Sequence, residues 1–288
     1  MERNYSGSVE AFKKDWVQLE ENNRYHFKRG EPANQIQFAF QSHWHVFLKL
    51  LDKIRSGRVL EVGSGRGSMS AFFADVGFEV FLLDISERAL RIAKANFKAD
   101  GLNGHYVCGD ALSLPYHVET FDVVLSIGLL EHFARIEQAL YEQIRILRPG
   151  GLFLGYVVPK RFIFIQALAT PINLLLNYVH TVYYNMKSNN RHQANFNKVP
   201  LFRNDYRASD YLSVLYRLGV KEAGSFGMFP VPLVSHSPEF PFTPMAPSLE
   251  QALVRLWKLL LTPHLRKSRD PWKCPENWGL AFLVWAKR

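Results

Sequence analysis

The chain has few cysteines and no recognisable secretion signal. Its 288 residues include two cysteines, Cys108 and Cys274, which stand far apart and form no metal-ligand pattern. Neither a disulfide framework nor a metal site is therefore predicted, and a reducing, cytoplasmic compartment is expected. Residues 1–15 are polar and charged and lack the apolar run of a signal peptide.

A long uninterrupted apolar run is also missing. The most apolar stretch covers residues 162–182, but it contains Gln166, Asn173, Asn177 and His180. Because so many polar groups would be costly in hydrocarbon, this stretch is not predicted to span a membrane.

Acidic residues are outnumbered by basic ones. Lys and Arg number 35 against 26 Asp and Glu, which gives a formal net charge of +9. This excess suits an anionic partner, whether a phospholipid surface, a phosphorylated metabolite or a nucleic acid, and it does not choose among them.

Hydrophobic patterning predicts a doubly wound α/β domain. Up to residue 158, short apolar segments alternate with segments of helical periodicity, which indicates a mostly parallel sheet with helices on both faces. A helical N-terminal extension or lid is predicted over 1–57 and the main domain over 58–288, with acceptor-site or lid insertions at 160–205 and 228–262. The predicted strands are 58–62, 78–83, 105–107, 121–127, 152–158, 220–226 and 279–286, and the predicted helices are 34–54, 68–76, 86–99, 136–147, 209–218 and 248–261.

The first strand is followed by a glycine-rich turn. Gly63, Gly65 and Gly67 lie where open parallel sheets bind ligands, and glycine allows a ligand to approach the backbone closely. Glu61 precedes the turn, and Asp84 ends the second strand about 20 residues onward, where a carboxylate can accept hydrogen bonds from ribose hydroxyls. NAD-binding domains share this geometry, but the spacing here is Gly-x-Gly-x-Gly instead of Gly-x-Gly-x-x-Gly, and a simple packing turn is the remaining alternative.

Three further motifs stand at the ends of later strands. Residues 109–111 place a carboxylate beside a small residue, where an adenine amine could be bound. Residues 126–132 end the fourth strand with Ser-Ile-Gly and continue into Glu-His, while 148–151, Arg-Pro-Gly-Gly, precede the fifth strand and are expected to stop the helix before it.

This series resembles the class I S-adenosylmethionine-dependent methyltransferases over about residues 57–158. The resemblance implies a Rossmann-like, seven-stranded sheet whose last strand is antiparallel, with S-adenosyl-L-methionine as cofactor. It also implies that the glycine-rich turn holds the methionine end, that Asp84 takes the ribose, and that later motifs line the adenine and the sulfonium. The implied cofactor-binding residues are Glu61, Gly63, Ser64, Gly65, Gly67, Asp84, Ile85, Asp110, Ala111, Ile127 and Gly128.

Glu131 and His132 form the candidate catalytic pair. They lie just past the strand expected to face the methyl group, and the pair is similar to that of the ubiquinone-pathway O-methyltransferases; the longer motif is similar to cyclopropane fatty-acid synthases. If the acceptor must lose a proton, His132 is preferred as the base, since histidine titrates near neutrality. Alternatively, Glu131 braces the following helix while His132 packs.

Residues 160–187 are predicted to form an amphipathic helix, with Pro171 as a candidate kink. In one interpretation, the apolar face of this helix packs over the acceptor pocket. In the other, the apolar face binds to an anionic membrane surface. By resemblance, the ubiquinone-pathway O-methyltransferases carry a hydrophobic insertion at the same place. Tyr5, Tyr25 and His26 are candidate lid residues from the N-terminal extension.

The sequence therefore predicts a methyltransferase for a small, apolar or aromatic acceptor such as a lipid, a quinone-like molecule or a secondary metabolite, by in-line transfer. A nucleic-acid methyltransferase suits the charge, but residues 126–129 lack the Asn/Asp-Pro-Pro-aromatic motif of base-amine methylation. A non-catalytic cofactor-binding protein and an NAD-dependent oxidoreductase are further alternatives on a similar fold. The oligomeric state is not predicted.

Overall fold

The structure, a computed structural model, describes residues 26–158, 160, 164–187, 202–236, 245–267, 270 and 272–288. The predicted lid residues Tyr5 and Tyr25 lie outside this part of the chain. The described part of the N-terminal extension begins at His26 and contains one helix, as predicted.

Eight strands in the described residues form one mixed sheet. They are β1 Arg58–Val62, β2 Glu79–Asp84, β3 His105–Cys108, β4 Phe121–Ile127, β5 Leu147–Val157, β6 Glu222–Met228, β7 Lys273–Cys274 and β8 Ala281–Lys287. The spatial order is β3-β2-β1-β4-β5-β8-β6-β7. Strands β1 to β5 are parallel, and β8 runs antiparallel between β5 and β6. The carboxyl ends of β1 to β6 therefore meet at one edge of the sheet, which we call the carboxyl edge.

The fold prediction is confirmed apart from the strand count, since the sheet has one strand more than the predicted seven. The additional strand, β7, has two residues and pairs with the end of β6. Two residues carry no periodicity, so no hydrophobic pattern could have predicted the strand.

The fifth strand begins earlier than predicted. Leu147 already pairs with Phe121 of β4, and the preceding helix ends at Arg145, so the Arg-Pro-Gly-Gly motif lies inside the strand and does not stop a helix. The register between the two strands shifts at Phe121 and Val123. Such an irregularity accommodates Pro149, which has no N–H to donate to the sheet.

Seven α-helices accompany the sheet: α1 Gln35–Leu51, α2 Ser68–Asp75, α3 Glu87–Ala99, α4 Glu137–Arg145, α5 Phe164–Lys187, α6 Ala208–Arg217 and α7 Pro247–Lys267, all within the described residues. Helices α1 to α3 cover one face of the sheet, where Phe47, Phe73 and Phe97 are buried together. Helices α4 and α6 cover the other face, where Leu140 and Tyr211 are buried. The domain is thus doubly wound.

Side-chain caps begin two of these helices. The side chain of Asn34 accepts a hydrogen bond from the Gln37 N–H at the start of α1, and that of Ser86 accepts one from the Ala89 N–H at the start of α3. Each cap satisfies a backbone donor that the first turn of a helix leaves without an intrahelical partner. The sequence predicted the Ser86 cap.

Helix α5 is present as predicted, but the interpretation that packs its apolar face inward is wrong. Two of its polar residues face the protein: Gln166 exchanges two hydrogen bonds with the backbone of Leu233, and Asn173, 2% exposed, bonds the backbone of Leu233 and Ser235. The large apolar residues are exposed to solvent instead, and they include Leu168, Ile172, Leu174, Leu175, Tyr178, Val179 and Val182. Over the described residues, no helix is both long and apolar enough to cross a bilayer.

Candidate active site at the carboxyl edge

The glycine-rich turn after β1 depends on backbone conformations that favour glycine. Gly63, Gly65 and Gly67 have φ values of 70°, 51° and 74°. A Cβ at Gly63 would stand 2.9 Å from the Leu129 side chain, and one at Gly67 would stand 2.7 Å from Leu82. A side chain at Gly63 or Gly67 would therefore collide with its neighbours, so both positions require glycine.

Asp84 ends β2 beside this turn. Its Oδ2 accepts a hydrogen bond from the Gly65 N–H at 2.9 Å, and its Oδ1 accepts one from the Ser86 N–H at 2.9 Å. Burial raises the pKa of Asp84, while the backbone donors of Ser86 and Gly65 oppose that rise. A carboxylate has about four acceptor positions, so two bonds leave capacity for the hydroxyls of a ribose.

Glu61, predicted to contact the methionine end, lies just before the turn and is buried. It is 3% exposed, and its Oε2 accepts hydrogen bonds from both the N–H and the hydroxyl of Ser70, at 2.9 and 2.5 Å. Burial raises its pKa to about 7. The structure thus shows Glu61 bracing the first turn of α2.

The residues predicted for the adenine side also gather at the carboxyl edge. The Gly109 N–H donates to the Asp84 carbonyl at 3.1 Å, which brings the segment after β3 against the end of β2. The Oδ1 of Asp110 accepts a hydrogen bond from the Leu112 N–H at 2.7 Å. Ala111 is buried, whereas Ile85 remains partly exposed between Asp84 and Ser86.

Ile127 and Gly128, the predicted sulfonium contacts, stand at the end of β4, shortly before the predicted catalytic pair. Ile127 pairs with Tyr156 of β5, and the Gly128 N–H donates to the Tyr156 carbonyl at 2.9 Å. Gly128 has a φ of 66°, and a Cβ placed on it would lie 3.6 Å from Glu131 Oε1. The pair therefore follows the end of β4 directly.

Glu131 and His132 are both buried, in a short 3-10 turn over Leu130–His132. Glu131 Oε1 accepts a hydrogen bond from the Val158 N–H at 3.2 Å, and burial raises the Glu131 pKa to about 7, although the nearby positive charge of Arg203 opposes this. His132 Nδ1 lies 2.6 Å from the Phe202 carbonyl, and burial lowers the His132 pKa to about 4. At neutral pH the imidazole is therefore uncharged, with the Nδ1 proton donated to that carbonyl.

Sequence analysis missed the residue that holds this turn in place. Asn204 is buried, and its side-chain amide donates to the carbonyls of Leu130 and Phe133 at 3.1 and 2.9 Å. Its backbone N–H also donates to the Glu131 carbonyl at 2.7 Å. Asn204 is more than 70 positions from the turn, so no local pattern signals the contact.

Comparisons with known proteins point to the same kind of domain as the motifs at the carboxyl edge. Residues 60–155 match the family model described as a methyltransferase domain. These residues form a methyltransferase domain. The prediction of a class I, S-adenosylmethionine-dependent domain is thereby confirmed for this part of the chain.

Two relatives are similar to part of the chain. The chain is 33% identical over 135 residues to 24-methylenesterol C-methyltransferase 2 of Oryza sativa subsp. japonica, covering 46% of this chain and 37% of that protein. It is 38% identical over 95 residues to a ubiquinone biosynthesis O-methyltransferase of Rhizobium etli, covering 33% of this chain and 38% of that protein. The chain thus spans less than half the length of either relative.

A solved structure extends the likeness beyond the methyltransferase domain. The match to the structure of the cyclase SpnF covers 97% of this chain and 92% of the SpnF chain, with a TM-score of 0.51 and 19% identity. At this identity the likeness concerns the fold, and a protein named as a cyclase shows that the fold does not fix the reaction.

The methyltransferase domain also has polar groups that suit its cofactor. The Ser64 hydroxyl and Glu131 Oε2 are buried without a hydrogen-bond partner among the described residues. Ser64 stands in the glycine-rich turn predicted to hold the cofactor, whereas Glu131 belongs to the predicted catalytic pair, just past the strand expected to face the methyl group. Buried polar atoms normally have partners, and a polar ligand at the carboxyl edge would supply them.

Proposed function

We propose that this protein is an S-adenosylmethionine-dependent methyltransferase whose acceptor is a small, uncharged, largely apolar molecule. The observation that carries the proposal is the hydrogen bond from Gly65 to Asp84, which fixes a carboxylate against an open glycine-rich turn inside a methyltransferase domain. When bound, the cofactor would supply an activated methyl group on a sulfonium centre. The protein's task is then to orient the acceptor and to exclude water.

For an acceptor that loses a proton, the geometry favours Glu131 over His132 as the base. The pKa of Glu131 is raised to about 7, close to the pH at which a general base works well, and its Oε2 is without a partner among the described residues. His132 has a pKa lowered to about 4 and is already bound to the Phe202 carbonyl. We therefore assign Glu131 as proton acceptor at Oε2 and His132 to support of the turn.

The apolar character of the acceptor rests on two supports. The relatives are named for a sterol and for ubiquinone biosynthesis, and both names point to apolar products. In addition, aromatic rings flank the ends of β5 and β6, where Tyr156 and Phe229 are buried next to His43 of α1.

We further propose that helix α5 docks on an anionic membrane. Leu168, Leu175 and Tyr178 are 61%, 62% and 67% exposed, and residues 162–186 contain no charged side chain. Basic residues flank this stretch at positions 160, 161 and 187, and the whole chain is positively charged. An interfacial helix that is apolar on its exposed side and has basic flanks binds anionic lipid and would give access to an apolar acceptor.

The cofactor assignment is tested by replacing Asp84. Asp84→Ala removes the carboxylate expected to bind the ribose, so the affinity for S-adenosylhomocysteine should fall at least about 100-fold, or about 2.7 kcal/mol. Isothermal calorimetry measures the affinity, and circular dichroism reports on the fold. Asp205→Ala, at an exposed position, is the matched control and should bind as the wild type does. Unchanged affinity in folded Asp84→Ala protein, or a preference of the wild type for NAD, would refute the assignment.

A further inference from the structure

His43 is a buried histidine that the methyltransferase prediction did not use. It lies on α1 and is 3% exposed, yet neither Nδ1 nor Nε2 has a hydrogen-bond partner within the described part of the chain. Burial lowers its pKa to about 3, so the ring is uncharged at neutral pH and carries one N–H donor and one nitrogen acceptor. A buried imidazole that uses neither group needs an explanation.

The surroundings of His43 are aromatic. Its ring lies 4.5 Å from the ring of Tyr156 and 6.1 Å from that of Phe229, between ring centroids. The ring centroid of Phe40 lies 5.8 Å from that of His43 and 5.0 Å from that of His26. The backbone N–H of His26 donates a hydrogen bond to the Ser68 hydroxyl. Helix α1 therefore carries a row of rings from the start of α2, beside the glycine-rich turn, to the ends of β5 and β6.

Tyr156 lies between His43 and Glu131, a second side chain with an unpartnered polar atom among the described residues. The backbone of Tyr156 accepts the hydrogen bond from Gly128, and Glu131 binds the Val158 N–H two residues further along the chain. Burial raises the pKa of the Tyr156 hydroxyl, and the charge of Glu131 adds to that rise. Glu131 is 1% exposed, and its Oε2 has no partner among the residues described. Two buried and unsatisfied polar side chains thus flank one tyrosine at the carboxyl edge.

We propose that His43 and Glu131 together bind the hydroxyl group of a neutral, ring-shaped acceptor. A hydroxyl donates one hydrogen bond and accepts others, so it can donate to Glu131 Oε2 and accept from the His43 N–H. The rings of Tyr156 and Phe229 provide apolar contact for the rest of the acceptor. A carboxylate-bearing acceptor fits less well, because it would meet Glu131 and an uncharged histidine. This inference rests on the proposed function and adds the residues that choose the acceptor.

The test uses two isosteric probes on the full chain saturated with S-adenosylhomocysteine. Naphthol and methylnaphthalene have nearly the same shape, so the ratio of their dissociation constants, from ligand-observed NMR titrations, isolates the hydroxyl. The wild type should bind naphthol at least about tenfold more tightly, which corresponds to about 1.4 kcal/mol. His43→Phe keeps a ring and Glu131→Gln keeps the shape, and each should remove most of that preference. His45→Phe, at an exposed position on the same helix, is the control and should leave it unchanged.

A second readout separates binding from a structural role. His43→Phe removes two unsatisfied polar atoms from an aromatic pocket, so its melting temperature should equal or exceed that of the wild type. A lower melting temperature with an unchanged naphthol preference would make His43 a packing residue and overturn the proposal. If His43→Phe does not fold, an unchanged preference in Glu131→Gln overturns it equally. Loss of S-adenosylhomocysteine binding by the wild type would instead refute the proposed function.

Discussion

At the scale of single residues, the carboxyl edge holds carboxyl groups in surroundings that disfavour their charge. Glu61 and Glu131 are almost fully buried, and burial raises the pKa of each to about 7. Glu61 obtains two hydrogen bonds from Ser70, whereas Glu131 receives one from Val158 and keeps Oε2 without a partner among the described residues. This difference agrees with the proposed roles, in which Glu61 supports the first turn of α2 and Glu131 binds the acceptor.

The pH dependence of stability should reveal Glu131. Its pKa rises from 4.5 in the unfolded chain to about 7 in the folded protein, so the folded state keeps a proton that the unfolded state has lost. Its contribution to the free energy of unfolding is therefore full below pH 4.5 and is lost as the pH rises to 7, by about 3 kcal/mol. Glu131→Gln should lose this contribution to the pH dependence. Urea denaturation at pH 4.5, 6 and 8 measures it.

The control for that series is Glu87→Gln. Glu87 is exposed and forms a surface ion pair with Arg91, so the variant should lose stability between pH 4.5 and 8 as the wild type does. Parallel curves for the wild type and Glu131→Gln would show that Glu131 is charged in the folded protein at neutral pH.

At the scale of secondary-structure elements, helix α5 is held by amide side chains. Gln166 and Asn173 bond the backbone of Leu233 and Ser235 from one side of the segment 233–235, and Gln35 of α1 bonds the N–H and carbonyl of Val234. These amide side chains supply the hydrogen bonds that a neighbouring strand would supply in a sheet. They thereby satisfy backbone groups that would otherwise be buried without partners. The insertion and the N-terminal extension are thereby fixed to the same segment.

Alanine substitutions at Asn173 and Leu175 distinguish the two orientations of α5. If the polar face is inward, Asn173→Ala should be the destabilising variant, whereas an apolar face turned inward would make Leu175→Ala the destabilising one. Asn173→Ala leaves the buried Ser235 N–H without its partner and removes one of the two amide donors to the Leu233 carbonyl, so it should lower the free energy of unfolding by about 2 kcal/mol. Leu175→Ala removes an exposed side chain and should change it by less than about 0.5 kcal/mol. Chemical denaturation of both variants measures these two changes in the free energy of unfolding. A larger loss for Leu175→Ala would mean that the apolar face is covered.

At the scale of the whole molecule, the parallel strands bring all candidate site residues to one edge. Ligands of open α/β sheets bind outside the carboxyl ends of the strands, and here the order of the strands reverses between β1 and β4. Helix α1 lies on the α2 and α3 face and reaches the ends of β5 and β6, so that the extension and the main domain share the site. Net positive charge and the exposed apolar face of α5 are the two whole-molecule features that membrane docking would use.

Membrane docking is tested with vesicles of phosphatidylglycerol and phosphatidylcholine. The wild type should sediment with them, and Ile172→Asp with Leu175→Asp should weaken binding at least about tenfold, because both carboxylates would enter the interface. Thr181→Asp places a charge at another exposed position of the helix and should weaken binding far less. Failure of the wild type to sediment, combined with a concentration-dependent dimer that the double variant abolishes, would assign the face to a second copy of the chain.

The sequence by itself determined the features that depend on neighbouring residues. The alternation of strands and helices, the Ser86 cap and the glycine-rich turn are local, because hydrophobic period, side-chain capping and positive φ act over a few residues. The resemblance carried by those motifs also anticipated the antiparallel last strand. These features place the predicted cofactor-binding residues at one edge of the sheet.

Only the tertiary structure decided which face of α5 turns inward, where β7 forms and which distant residues enter the site. The partners of Asn173 stand about 60 positions away, those of Asn204 about 70, and His43 meets Tyr156 across more than 100. Amphipathic spacing shows that a helix has two faces but not which face finds buried backbone groups to satisfy. That choice depends on hydrogen bonds between segments that only the folded chain brings together.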